Sequence, residues 1–179
     1  MRKFTYAEYC AMPEDGRHYQ IVDGELLMSA TPPIRHQMVL GYLSCDFFKH
    51  VETEQAGIVV CGPLDVILSD TDVFQPDMVF ISNARKKIIV REGLRGVPDL
   101  CVEVLSPSNK QLDLKTKRLL YARYGLPELW IVDPDANTVR IFRLQEDPHR
   151  AAATYRAKDT LTTTLLPRFS LDLAKVFAE

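Results

Sequence analysis

Several patterns are absent from this 179-residue chain, and each absence excludes a class of protein. No apolar stretch approaches the ~18 residues that a membrane span requires. The N-terminus, MRKFTYAEYC, lacks the apolar centre of a signal peptide. The expectation is a cytoplasmic protein with no membrane partner. The four cysteines, Cys10, Cys45, Cys61 and Cys101, include no C-x-x-C pair, so neither a zinc cluster nor a disulfide framework is indicated. Cys45 and Cys101 sit in apolar runs and read as small buried hydrophobes. The glycine-rich phosphate loops and the HExxH and GxSxG strings are missing as well. Charge of one sign is also lacking: the net charge is -2, so the chain as a whole is no polyanion binder.

What remains is an ordinary globular composition, 46% hydrophobic and 26% charged. The length suits a single domain spanning residues 1–179. Thr5 and Glu8 form a capping-box pattern before a short helix near 6–12. Asp23-Gly24 between two apolar-rich runs predicts a hairpin with a type I′ turn. Ile34, Met38, Tyr42, Phe47, Phe48 and Val51 predict a long amphipathic helix over 34–54. GIVVCG and LDVILSD read as short strands. FQPDMVFIS and VPDLCVEVLS contain continuous apolar runs, the mark of strands buried on both faces. Residues 82–97 between them read as a loop. Residues 110–124 read as a helix started by Ser106-Pro107-Ser108-Asn109 and stopped by Gly125. ELWIVDPDANTVRIFRL reads as a second hairpin turning at 134–137, and a short helix near 172–178 closes the chain. This order predicts an α/β fold with a mixed sheet.

Charge is distributed unevenly. Residues 85–118 hold nine Lys or Arg and four acids, a local basic field able to meet phosphates at one face. Two acids stand inside the apolar strands. Asp77 heads the run MVFI, and Glu103 interrupts L-C-V-E-V-L. A carboxylate there is costly unless it is paired or binds a cation, and hard oxygen ligands suit Mg²⁺. Asp113, Lys117 and Tyr121, at i, i+4 and i+8, share one face of the following helix. That face would bring an ammonium beside the carboxylates. His36, at the start of the long helix, reads as a capping or core residue.

The strings QIVDGELLMSATP, QPDMVF and PDLCVEVLSPSNKQLDLKTKRLLYARYGLPELWIVDP resemble the Uma family of restriction endonucleases, within the PD-(D/E)XK nuclease superfamily. The resemblance runs from about residue 5 to the C-terminus. It implies a restriction-endonuclease-like mixed β-sheet flanked by helices, with Asp77 and Glu103 as metal-binding acids for Mg²⁺ or Mn²⁺. The superfamily's usual lysine position, two residues after the Glu, is Leu105 here, and the following helix offers Lys117 instead. Glu25 of DGEL matches an early acid of the family and is expected to approach the site. The activity implied is Mg²⁺-dependent cleavage of duplex DNA, by a homodimer if both strands are cut symmetrically. A companion protein could supply target recognition. RNA, branched DNA, or a non-catalytic binding role on the same fold are the alternatives.

Overall fold

The computed structural model describes residues 2–106 and 112–178, and for 112–114 the backbone alone. Thr5 caps the first helix, α1 (Tyr6–Cys10). Its hydroxyl accepts from the Glu8 N–H while the Glu8 carboxylate accepts from the Thr5 N–H, so two otherwise orphaned donors are satisfied. Strands β1 (His18–Val22) and β2 (Glu25–Ser29) pair antiparallel around Asp23-Gly24. The φ angles there, 51° and 79°, are the left-handed pair that a type I′ turn demands. Helix α2 (Ile34–Thr53) follows and buries Val39, Leu43, Phe47 and Val51, a spacing of four that keeps them on one face.

Seven strands come next: β3 (Gly57–Cys61), β4 (Val66–Ser69), β5 (Asp72–Phe74), β6 (Met78–Ser82), β7 (Ile89–Val90), β8 (Gly93–Arg95) and β9 (Leu100–Val104). A π-helical segment, Leu112–Lys117, runs into α3 (Arg118–Arg123). The chain then forms β10 (Glu128–Asp133), β11 (Thr138–Arg143), β12 (Ala153–Arg156), β13 (Thr160–Leu161), β14 (Leu171–Asp172) and α4 (Leu173–Val176).

Two six-stranded sheets result, with β13 and β14 as a separate pair. The first, in the order β12-β11-β10-β9-β6-β3, is antiparallel except where β9 and β10 run parallel. The crossover between those two strands carries α3. The second, in the order β2-β1-β5-β4-β8-β7, attaches the first hairpin to β5 and is mixed through the parallel β4–β8 pair. The fold is thus the expected mixed α/β class, but with two mixed sheets rather than one. The extra sheet is completed by β5, β7 and β8, inside stretches that read as loop or as part of a neighbouring strand. Strands of two or three residues are too short to show a period in sequence. The helix expected over 110–124 is observed as π-helix followed by α-helix. The caps expected at 107–109 lie outside the described residues, as do Lys110 and the side chain of Asp113.

The first sheet separates two apolar clusters. Alternation along β9 sends Leu100, Val102 and Val104 toward α2, where they pack with Phe47, Phe80 and Trp130. Cys101 faces the other side, among Tyr121, Leu129 and Ile131. Glu103 shares that second side. Cys45 is exposed, against expectation, because it lies on the outer face of α2 away from the Val39–Val51 stripe. Phe47 is the pivot of the α2 side, with its ring 5.0–6.0 Å from those of Phe169, Trp130 and Phe80. Phe47→Ala is expected to cost about 4 kcal/mol of stability through lost burial and the cavity left behind, measurable by urea unfolding.

Candidate active site

The site lies where β9 ends. Asp77 stands just before β6, whose terminal pair with β9 is Met78↔Val102. Its backbone N–H donates to the Val102 carbonyl at 3.1 Å. Its carboxylate Oδ2 accepts from the Val104 N–H at 2.7 Å. Asp77 therefore straddles Glu103, gripping the residues on both sides of it. The two acids line one cavity of ≈ 190 Å³. Asp77 is 23% exposed there, whereas Glu103 is only 3% exposed.

Glu103 is held from the crossover. Lys117, itself 2% exposed, donates from Nζ to Glu103 Oε1 at 3.1 Å, and the Tyr121 hydroxyl donates to the same oxygen at 2.9 Å. Lys117 ends the π-helical segment and Tyr121 lies four residues on, so both project from one face. The wider π turn is a feature often found at functional positions. Lys115 is exposed, and the Arg118 guanidinium stacks 4.9 Å over the Phe142 ring, so of these three cations only Lys117 enters the cavity. Burial, reinforced by the charge of Glu103, pushes the Tyr121 phenol well above its ordinary range. Tyr121 thus remains a donor to Glu103 at any working pH.

Two further polar side chains of the cavity are buried, and neither was assigned to the site from the sequence. His36, on the first turn of α2, places Nε2 3.3 Å from Asp77 Oδ2. It is 5% exposed, and among the described residues its buried Nδ1 has no hydrogen-bond partner. Gln20 of β1 also lines the cavity and is 3% exposed, and among the described residues its buried Oε1 has no hydrogen-bond partner. A polar residue inside the apolar-leaning run HYQIV was the available signal for Gln20. His36, at the start of the long helix, reads as a capping or core residue, because its meeting with Asp77 depends on how α2 lies on the sheet.

Glu25 is not brought to this site. His18 and Ser29, a cross-strand pair at the open end of the first hairpin, line the cavity, while Glu25 pairs with Val22 beside the turn. Four residues of strand, ~13 Å at ~3.3 Å per residue, separate Glu25 from Ser29. Glu25 is exposed and lines a different surface depression with Arg2 and Lys3. The expectation that it approaches the acids is corrected: the hairpin points its other end at them.

The donor set suits a hard divalent cation. Asp77 and Glu103 supply oxygen ligands of the kind Mg²⁺ or Mn²⁺ takes, and no hydrogen bond to Asp77 Oδ1 is found among the described residues. Among those residues no three His, Cys, Asp or Glu side chains converge as a metal cage.

Comparison with known proteins adds the family context. The Uma2 family, described as "Putative restriction endonuclease", matches residues 6–174. None of the curated proteins searched matches the chain. Among solved structures, a protein described as a "putative nuclease belonging to DUF820" from Anabaena variabilis ATCC 29413 superposes with a TM-score of 0.80 at 18% identity, covering 98% of both chains. At that identity the likeness is one of fold.

The Glu103–Lys117 contact yields a stability test. Lys117→Met leaves the buried carboxylate without this cation and is expected to cost about 3 kcal/mol, whereas the double variant Glu103→Gln/Lys117→Met recovers most of the loss, because it removes both charges from the interior. Urea unfolding of the two single variants and the double variant closes the cycle.

Proposed function

The chain belongs to the Uma2 family, and from that membership and the geometry of the cavity we propose that it is a metal-dependent endonuclease hydrolysing phosphodiester bonds in DNA. The observation that carries this reading is Asp77 gripping the backbone on both sides of Glu103, with Lys117 beside them in one cavity. Two carboxylates and an ammonium around a cleft are what phosphoryl hydrolysis needs: oxygen ligands for a cation, and positive charge where negative charge grows.

In this reading Asp77 and Glu103 hold Mg²⁺, or Mn²⁺ in its place. When bound, such an ion supplies Lewis-acid polarisation of the phosphate and a more acidic water. The chain's own groups do the rest. The Val104 N–H and His36 fix the Asp77 carboxylate, so its orientation does not depend on substrate. Tyr121 and Lys117 fix Glu103 through one oxygen. The Lys117 ammonium, buried where little water screens it, favours the transition state in which phosphate oxygens gain charge. Water supplies the oxygen of the new P–O bond, the bond to the leaving sugar oxygen breaks, and that oxygen is released as a hydroxyl.

DNA would approach across the basic segment. Arg85 is engaged by Asp99 at 3.0 Å and Arg118 by the Phe142 ring. Lys86, Lys87 and Arg91, all exposed, remain as phosphate contacts that set position on the duplex rather than sequence. Cleavage of both strands by this single site calls for two copies of the chain related by a twofold axis.

The test is nicking of supercoiled plasmid, and cleavage of branched DNA and RNA, with Mg²⁺, Mn²⁺ or EDTA. Wild-type protein is expected to nick plasmid with either metal and not with EDTA. Glu103→Gln is expected to lower the rate by at least about 1,000-fold, since several kcal/mol of charge stabilisation is lost. Glu25→Ala should nick at the wild-type rate. Preference for RNA or a branched substrate would reassign the substrate. Folded wild-type protein that cuts nothing would support a binding module on a nuclease fold.

A further inference from the structure

Helix α2 is apolar on two sides. Val39, Leu43, Phe47 and Val51 face the sheet and are buried. Opposite them, Ile34, Met38, Tyr42, Cys45 and Phe48 recur at intervals of three and four, which places them along one stripe of the outer face. Ile34, Tyr42 and Phe48 are half of the large apolar side chains exposed among the described residues, and Cys45 is exposed between them. Single apolar residues on a surface need no explanation, but a contiguous row along a rigid helix marks a contact surface.

Two further features say what covers the stripe. Gly41, exposed within it, has nothing within 4 Å of the place a Cβ would take. A glycine inside a helix costs stability relative to alanine, and here neither a positive φ nor a close neighbour requires one. What it offers is a point where another backbone can come close. Charge is the second feature. Arg35 and Asp46 lie eleven residues apart, three helical turns, on one flank of the stripe. The Arg35 guanidinium donates to the carbonyls of Phe177 and Ala178 and to Asn137 Oδ1, all neutral. Neither Arg35 nor Asp46 has an ion-pair partner among the described residues. At ~1.5 Å per residue they stand about 16 Å apart, too far to meet within one helix.

From the stripe, the glycine and the two charges, we propose that a second copy of this chain covers α2, the two helices running antiparallel and crossing at Leu40–Gly41 about a twofold axis. That crossing point is midway between Arg35 and Asp46, so each arginine meets the second copy's aspartate and the charges are matched twice. Gly41 sits at the same point, so the backbones approach most closely where no side chain stands between them. Ile34 falls beside the second copy's Phe48, and Met38 beside its Tyr42. The charges and the glycine are independent features, and both select one register. A parallel pair would instead set each charge against its like. The axis keeps each flank of α2 on its own side of the dimer. Gln37 and Leu40, which line the cavity of Asp77 and Glu103, lie on the flank away from Arg35 and Asp46, so both cavities fall on one face of the pair. That placement suits cleavage of two strands, but the association itself does not rest on the nuclease reading.

The test is sedimentation equilibrium of the full chain over a range of concentrations, with thermal melting alongside. The contact runs along one 20-residue helix, less than a standard interface, so wild type is expected to dimerise with a micromolar Kd. Gly41→Gln fills a place that is empty in the single chain. Its melting temperature, taken at a concentration where wild type is monomeric, should hold or rise, while the dimer is lost. Asp46→Lys should raise Kd about tenfold, because two attractive pairs turn repulsive. Gly41→Cys sets two thiols within disulfide reach across the axis, whereas Cys45 lies roughly 14 Å along the helix from its counterpart. Mild oxidation should therefore link Gly41→Cys chains through position 41 and leave Cys45 unlinked, as read by mass spectrometry of peptides.

Wild type that stays monomeric into the hundreds of micromolar overturns the proposal and leaves the stripe to a different chain. A dimer that Gly41→Gln leaves unchanged overturns it by placing the contact elsewhere. Linkage through Cys45 in place of position 41 overturns the register, and an Asp46→Lys dimer as tight as wild type overturns the charge pairing. None of these readouts uses nucleic acid, so a failure here and a failure of the nuclease reading are told apart.

Discussion

A carboxylate buried in the middle strands of a sheet governs the rest of this molecule. Glu103 is nearly inaccessible between Val102 and Val104, where an ionised acid is tolerable only with charge and hydrogen bonds beside it. Lys117 and Tyr121 meet that requirement from the crossover. The same contacts dock the π-helical turn and α3 onto the face of the sheet opposite α2. One ion pair thus links the backbone path between two parallel strands to the chemistry of the site.

The remaining parts converge on the same strand end. Asp77 arrives by antiparallel register and is anchored on the Val102 carbonyl and the Val104 N–H. The open end of the first hairpin delivers His18, Gln20 and Ser29, and the first turn of α2 delivers His36. The cavity therefore opens beyond the carboxyl end of β9, a strand parallel to its neighbour β10. Ligand sites of open α/β sheets commonly sit at such strand ends, because loops diverge there and leave a crevice. Rigid elements rather than loops supply most of these groups, which favours a site held in place before substrate arrives.

The main elements of the fold were legible because their signals are local. The capping box at Thr5, the Asp23-Gly24 turn, the 20-residue helix from Ile34 and the apolar strands around Asp77 and Glu103 are matters of spacing along the chain. So was the oddity of two acids in apolar runs, since the cost of burying charge can be read from neighbours. The second sheet was not legible. β5, β7 and β8 are too short to carry a period, and they pair only because β1 and β4 are there to receive them.

The sequence by itself determined which residue types were available: two strand acids, a lysine and a tyrosine four apart, and a basic stretch between strands. Only the tertiary structure decided which of them meet. Glu25 and Gln20 lie on the same hairpin, and the resemblance of DGEL to the family pattern pointed to the acid. The hairpin's direction takes the acid to the surface and the amide to the cavity. His36 reads as a capping or core residue because its partner is 41 positions away, and that contact exists only once α2 is packed through Phe47 on the sheet. Charge and pattern along a chain identify candidates, but strand direction, register and helix placement bring chosen side chains within a few ångströms, and those are properties of the assembled core.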